Sequence, residues 1–200
     1  KVMDQQTYNY LLKAAKSNNH LKLYKIIQTL GFINLPSSKL TFRHYLVRTI
    51  VGQQISTKAA ESIWNKVEIV LQSKQNISEK NLFLSLRESG LSERKANYST
   101  AILMDHRIQK LTKKKLLLMD LKDYKNMLMS FHGVGPWTVE MSRIFYLGDE
   151  DILSEGDYGI QVAHNRIFPL DKLSKDFYKR YAPFRSYICL YLWGSLNLDI

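Results

Sequence analysis

The stretch Leu128-Met129-Ser130-Phe131-His132-Gly133-Val134-Gly135-Pro136-Trp137-Thr138-Val139-Glu140 decides how this chain is read, because it sets a glycine-bearing turn between two amphipathic segments. Gly133 and Gly135 permit a tight turn with positive φ. Pro136 suits the first turn of the following helix, where a missing N–H costs nothing. The product is a helix N-terminus fronted by bare amides, with the positive end of the helix dipole facing the same way, and such a place binds phosphate. An ordinary Gly-Pro loop between packed helices is the competing reading. A dinucleotide-binding fingerprint fails twice: a helical pattern precedes the glycines, and Thr138 stands where the third glycine is required.

Helical spacing continues on both sides of this turn. Tyr8, Leu11, Leu12 and Ala15 fall at i, i+3, i+4, i+7, and Phe42, Tyr45, Leu46 and Ile50 form a similar stripe. After the polar break Gly52-Gln53-Gln54, Ala60, Ile63, Trp64, Val67 and Leu71 mark another helix, with Ser56 or Thr57 as its N-cap. Further helices are expected around 79–86, 92–104, 113–119, 121–131, 137–147, 158–168 and 183–195, broken at Gly90, 133–136, Gly148 and Pro183. The β-rich run Ile188 to Trp193 reads as buried helix, since Phe184, Tyr187, Ile188, Tyr191 and Leu192 keep the helical period. No clear alternating strand, repeat or low-complexity linker interrupts this all-α pattern.

Composition narrows the partner. The 200 residues carry 29 Lys and Arg against 18 Asp and Glu, a net charge of +11, which favours an anionic partner through counterion release. Cys189 is the single cysteine, so the chain can form neither an internal disulfide nor a cysteine-ligated cluster. Lys1 to Tyr10 lacks the apolar core of a signal peptide, and no apolar run is long enough to span a bilayer. The expectation is a soluble intracellular protein, without a membrane partner.

Five ordered segments resemble the helix-hairpin-helix DNA glycosylases, and within them the 3-methyladenine DNA glycosylases. They are Phe42 to Ser56 with its Gly52-Gln53-Gln54-Ile55-Ser56 turn, Gly90-Leu91-Ser92-Glu93-Arg94-Lys95-Ala96, the hairpin itself, Asp157, and Arg185-Ser186-Tyr187 through Leu192-Trp193. They cover roughly residues 40–195. The β-rich N-terminal domain of some bacterial members has no counterpart in them. The resemblance implies a two-lobed all-α fold with the active-site cleft between lobes. One lobe would span about 36–156 and carry the hairpin; the other would combine about 1–35 with 157–200. It also implies a monomer acting on damaged double-stranded DNA, in the bacterial cytoplasm with the nucleoid or in a eukaryotic nucleus.

Chemistry follows from the same resemblance. A cationic alkylated purine departs as a neutral base, so the enzyme must chiefly stabilise an oxocarbenium-like sugar and place water, work suited to a carboxylate. Asp157 is the aligned residue, although an aspartate beside glycine also suits a turn or helix cap. Glu155, Asp149 and Asp151 read as solvated charges. Members that also cut the backbone place a lysine where this chain has Trp137, so a monofunctional hydrolase follows. Trp137, Tyr158 and Trp193 match the aromatic base pocket, where cation–π attraction of about 0.5–2 kcal/mol per contact would favour a charged alkylpurine; core packing is the plainer role for such rings. Gln54 is the candidate wedge that fills the gap left by the flipped base, with Gln53 beside it, unless both cap helices. Gly133, Val134, Gly135 and Thr138 are candidate phosphate contacts. Main-chain carbonyls of Met129, Phe131 and Val134 match a structural Na⁺ or K⁺ site in the hairpin; no cofactor is otherwise required, and an iron–sulfur cluster is excluded. A glycosylase for another lesion, or a non-catalytic hairpin module that only grips DNA, are the alternatives.

Overall fold

The computed structural model describes residues 1–73 and 77–199, and among them there is no strand. The chain divides into two compact units: Lys1–Ser37 together with the chain from Glu140 onward, and Ser38–Val139.

The first unit opens with α1 (Gln5–Ser17), whose start is capped by Asp4 accepting the Thr7 N–H, and α2 (Leu21–Leu30). The second unit holds α3 (Phe42–Gly52), α4 (Thr57–Ser73), α5 (Glu79–Glu88), α6 (Glu93–Met104), α7 (His106–Gln109), α8 (Lys113–Leu117) and α9 (Leu121–Met129). Ser56 caps α4 by accepting the Ala59 N–H at 3.3 Å, so of the two residues expected to cap it, Ser56 takes the role. The single turn α7 escapes periodicity analysis because four residues cannot show a stripe; the Asp105 carboxylate fixes it by accepting the N–H groups of Arg107 and Ile108. Next, α10 (Pro136–Ser142) starts at the proline, as expected, and runs into a π-helical turn, Arg143–Leu147. The unit boundary falls inside this helix. The first unit resumes with α11 (Tyr158–Ile167) and α12 (Arg185–Ser195).

Each unit closes around its own core. In the second, α3 packs on α4 and α6, and α6 on α5. The stripe Phe42, Tyr45, Leu46 and Ile50 is buried, each such side chain contributing about 1.5–3 kcal/mol of transfer free energy. In the first, Leu11 and Ala15 of α1, Ile26 and Ile27 of α2, and Ile160 and Ala163 of α11 meet Tyr187, Ile188, Tyr191 and Leu192 of α12. Thus the β-rich run 188–193 is buried helix, as its spacing indicates.

The stretch 140–156 belongs with the first unit, whereas the sequence placed a lobe boundary near 156. Met141, Ile144 and Leu153 are buried in the first unit's core, and the start of α12 adds a set of bonds to the loop between them. The Ser186 N–H donates to the Glu150 carbonyl at 2.8 Å, the Ser186 hydroxyl donates to the Asp149 carbonyl, and it accepts the Ile152 N–H.

Candidate functional site

In the first unit the candidate carboxylate is Asp157, half-buried at the N-cap of α11. Its Oδ1 accepts the Ile160 N–H at 2.9 Å and the Trp193 indole N–H at 2.8 Å. One bond comes from its own helix and one from α12, so the carboxylate is held from two directions. Gly159 makes the second bond possible: a Cβ there would lie 3.0 Å from Trp193 Cδ1 and 3.2 Å from Asp157 Oδ1. Trp193 also stacks on Phe145, with ring centroids 5.7 Å apart. Tyr158, the next residue after Asp157, is 79% exposed, so a large aromatic face stands open to solvent beside the carboxylate.

The loop leading to Asp157 is pinned by ions. Arg185 holds Asp151 in a bidentate pair at 2.6 and 2.8 Å, and its hydrogen bonds keep the Asp151 carboxyl below the usual carboxylate range. Asp149 pairs with Arg143. Asp149 and Asp151 are therefore structural ion-pair partners rather than solvated charges. The Ser154 carbonyl accepts the Asp157 N–H, and the Ser154 hydroxyl donates to Glu140 at 2.6 Å. Beneath the loop, burial pushes the Cys189 thiol up to about 12, which leaves it protonated and inert.

In the second unit the hairpin is built as a tight turn. Gly133 has φ +83°, and a Cβ on it would lie 2.4 Å from the Tyr98 ring, so both backbone and packing demand glycine. Gly135 does not take a positive φ, contrary to expectation; it stands instead at the start of α10, accepting the Val139 N–H, and the space where a Cβ would point is open. The Val134 amide is used inside the turn, donating to the Phe131 carbonyl at 3.1 Å. Thr138 is 1% exposed, and its hydroxyl lies 3.4 Å from the Gln53 side-chain amide, so its side chain packs inward. Trp137, just inside α10, is 37% exposed and Met129 is 42% exposed. Among the described residues no group of three or more His, Cys, Asp or Glu could hold a metal ion.

The two glutamines separate in role. Gln53 Nε2 donates to the Gly133 carbonyl at 3.0 Å, tying the α3–α4 turn to the hairpin. Gln54 is exposed and adopts φ +58°, a left-handed conformation that a non-glycine residue holds only at a cost of roughly 1–3 kcal/mol. Sequence reasoning missed the residues that hold this machinery: Lys95, whose ammonium binds the α3–α4 turn, and Trp193 as a donor to Asp157. A helix whose third residue is a lysine, set against its own dipole, was the available signal for Lys95.

A glycine hairpin before a helix N-terminus, in a chain with no strand among its described residues that also caps a helix with a held aspartate, is the make-up of the helix-hairpin-helix class. Comparison with known proteins agrees. No family model matches the chain. DNA-3-methyladenine glycosylase 1 of Schizosaccharomyces pombe is 28% identical over 164 residues, 76% of this chain and 72% of that protein. The putative DNA-3-methyladenine glycosylase YfjP of Bacillus subtilis is 34% identical over 120 residues, 58% of this chain but 42% of that protein. The crystal structure of a Bacillus halodurans DNA-3-methyladenine glycosidase superposes with a TM-score of 0.72 at 27% identity, covering 92% of this chain and 87% of that one. An S. pombe 3-methyladenine DNA glycosylase in complex with abasic DNA gives 0.77 at 24% identity, covering 98% of each, and so shares the fold. The chain is similar in sequence and in fold to the 3-methyladenine DNA glycosylases, consistent with the helix-hairpin-helix DNA glycosylase superfamily.

Proposed function

We propose that this protein is a monofunctional DNA glycosylase of base-excision repair, which flips an alkylated purine such as 3-methyladenine out of duplex DNA and hydrolyses its N-glycosidic bond. The observation that carries the reading is the Asp157 carboxylate, held by the Ile160 amide and the Trp193 indole at the start of α11. A carboxylate fixed before reaction stabilises positive charge developing on the sugar without reorganising. It also orients or deprotonates the attacking water. An alkylated purine leaves as a neutral base, so no strong general acid is needed. Trp137 at the lysine position of the lyases supports hydrolysis without a Schiff base.

In the first unit Tyr158 and Trp193 supply aromatic faces suited to a cationic base, and in the second unit Trp137 is a further aromatic of that kind. Gln54, exposed at the tip of its turn, is suited to enter the stack in place of the flipped nucleotide. The Gly133 and Gly135 amides are the phosphate contacts. A monovalent ion held by the carbonyls of Met129, Phe131 and Val134 is compatible with the turn, since the Phe131 oxygen accepts one N–H and a carbonyl has two lone pairs. Damaged duplex DNA is the partner of a monomer. No helix among the described residues is long and apolar enough to cross a membrane. A bacterial cell would hold the protein with its nucleoid and a eukaryotic cell in its nucleus.

Release of free base from purine-methylated duplex, for the parent and Asp157→Asn, tests the reading. Asparagine keeps an oxygen that can accept both the Ile160 and Trp193 bonds, so it removes the charge and leaves the cap. The expected result is a fall of about 10²–10⁴-fold in single-turnover rate with DNA affinity retained. A parent that binds but releases nothing would leave the non-catalytic hairpin module as the better reading; an Asn variant as fast as the parent would remove Asp157 from the chemistry.

A further inference from the structure

We propose that Lys95 is a positioning residue for base flipping, clamping the α3–α4 turn so that Gln54 is presented in its left-handed conformation; this rests on the glycosylase reading above. Its ammonium donates to the Val51 carbonyl at 2.9 Å and to the Gln53 carbonyl at 2.6 Å. Both oxygens lie at the end of α3, where carbonyls have lost their intrahelical partners. A cation there also meets the negative end of the helix dipole.

The second bond matters most. The Gln53 carbonyl and the Gln54 N–H belong to one planar peptide unit, so fixing that oxygen fixes the plane from which the Gln54 φ is measured. Gln54 holds φ +58° without the steric licence of glycine, and something must offset that strain. Gln53 is held at both ends: its carbonyl by Lys95 and its side-chain amide on the Gly133 carbonyl at 3.0 Å. The wedge turn and the phosphate-gripping hairpin are thereby one hydrogen-bonded unit, and a hairpin seated on the backbone sets where Gln54 stands.

Lys95 reaches the turn from α6, whose N-cap Ser92 accepts the Lys95 N–H. The ammonium lies beside a recess of about 290 Å³ lined in part by Ile63, Gly90 and Leu91. Burial there lowers the lysine's affinity for its proton, in keeping with a cation withdrawn from solvent. A surface lysine gripping phosphate would point outward and leave these carbonyls to water.

Double-mutant kinetics test the assignment. Parent, Lys95→Met, Lys95→Arg, Gln54→Ala and the Lys95→Met/Gln54→Ala pair are compared at saturating protein on one alkylated duplex. The readouts are single-turnover base release and the fluorescence of 2-aminopurine placed next to the lesion, with thermal unfolding as a check that each variant is folded. Loss of two charge-assisted bonds is expected to slow Lys95→Met by about tenfold or more, with a smaller fluorescence rise and partial rescue by arginine. The pair should be no slower than Gln54→Ala alone, because Lys95 acts through that side chain. A Lys95→Met protein as fast as the parent, or effects that multiply in the pair, would overturn the proposal; so would a Lys95→Met defect confined to DNA affinity. Failure of the glycosylase reading is distinct, since it shows in the parent as an absence of base release, and it removes this assignment with it.

Discussion

A carboxylate bonded both by its own helix and by a tryptophan from another has little room to turn away from a reacting centre. Asp157 is so placed, and Gly159 is the residue that lets Trp193 come close enough to matter. Gly159→Ala puts a methyl group 3.0 Å from the indole Cδ1, tighter than ordinary contact, so the ring must give way and the 2.8 Å bond to Oδ1 lengthens. The variant should fold, because alanine is a better helix former than glycine. It should release base at least about tenfold more slowly, since misplacement of a catalytic group by about 1 Å is worth roughly 10²-fold. Single-turnover base release beside a thermal melt checks this; an unchanged rate would mean that the indole bond does not position Asp157. The sequence around Glu155-Gly156-Asp157 makes the cap legible, as glycine-flanked aspartates favour caps. The indole partner, 36 residues away, leaves no local trace.

Among elements, the start of α12 acts as a clamp on the loop that ends at Asp157. Helix limits were legible from chemistry within a few residues: Ser56 before α4, Pro136 at the start of α10, the 3.6-residue period through Ile188 and Leu192. Ion pairing was not, because Asp151 and Arg185 are 34 residues apart and periodicity relates only residues on one helix. That pair carries a pH signature. The Asp151 carboxyl is held below its ordinary value in the folded protein by the hydrogen bonds of Arg185, so the unfolded chain binds a proton more readily. Its contribution to stability is therefore complete above the unfolded carboxylate range, about pH 4, and is lost as pH falls through the lower folded value. Arg185→Met should lower stability at pH 7 by about 1–3 kcal/mol, and the gap to the parent should shrink as pH falls below about 4. Urea unfolding of both proteins at pH 7 and at about pH 2.5 measures it. A gap that does not narrow would mean that packing of the arginine stem, not its charge pair, supports the loop.

At the scale of the whole chain, the glycosylase proposal gives the excess of positive charge a part to play before any base is read, since it would draw the protein to DNA. The all-α class was plain from spacing, but the placing of 140–156 with the first unit was not, since it is made by contacts between residues far apart in sequence, such as the Ser186 bonds to Glu150 and Ile152, rather than by a break in the pattern. The net charge of +11 is spread over the chain, and an interface that neutralises five or six phosphates should bind undamaged duplex with a log–log salt slope of about −5. Affinity would then fall about 10³-fold between 50 and 200 mM monovalent salt. Contacts to a flipped base in an aromatic pocket displace few counterions, so the ratio of affinities for damaged and undamaged duplex should stay nearly constant over the same range. Fluorescence anisotropy with matched duplexes, at several salt concentrations and with Asp157→Asn to prevent turnover, separates the two contributions. A slope near zero on undamaged duplex would exclude the basic surface as the grip. A damaged-to-undamaged ratio that falls steeply with salt would place lesion recognition on charge rather than on aromatic faces such as those of Tyr158 and Trp193.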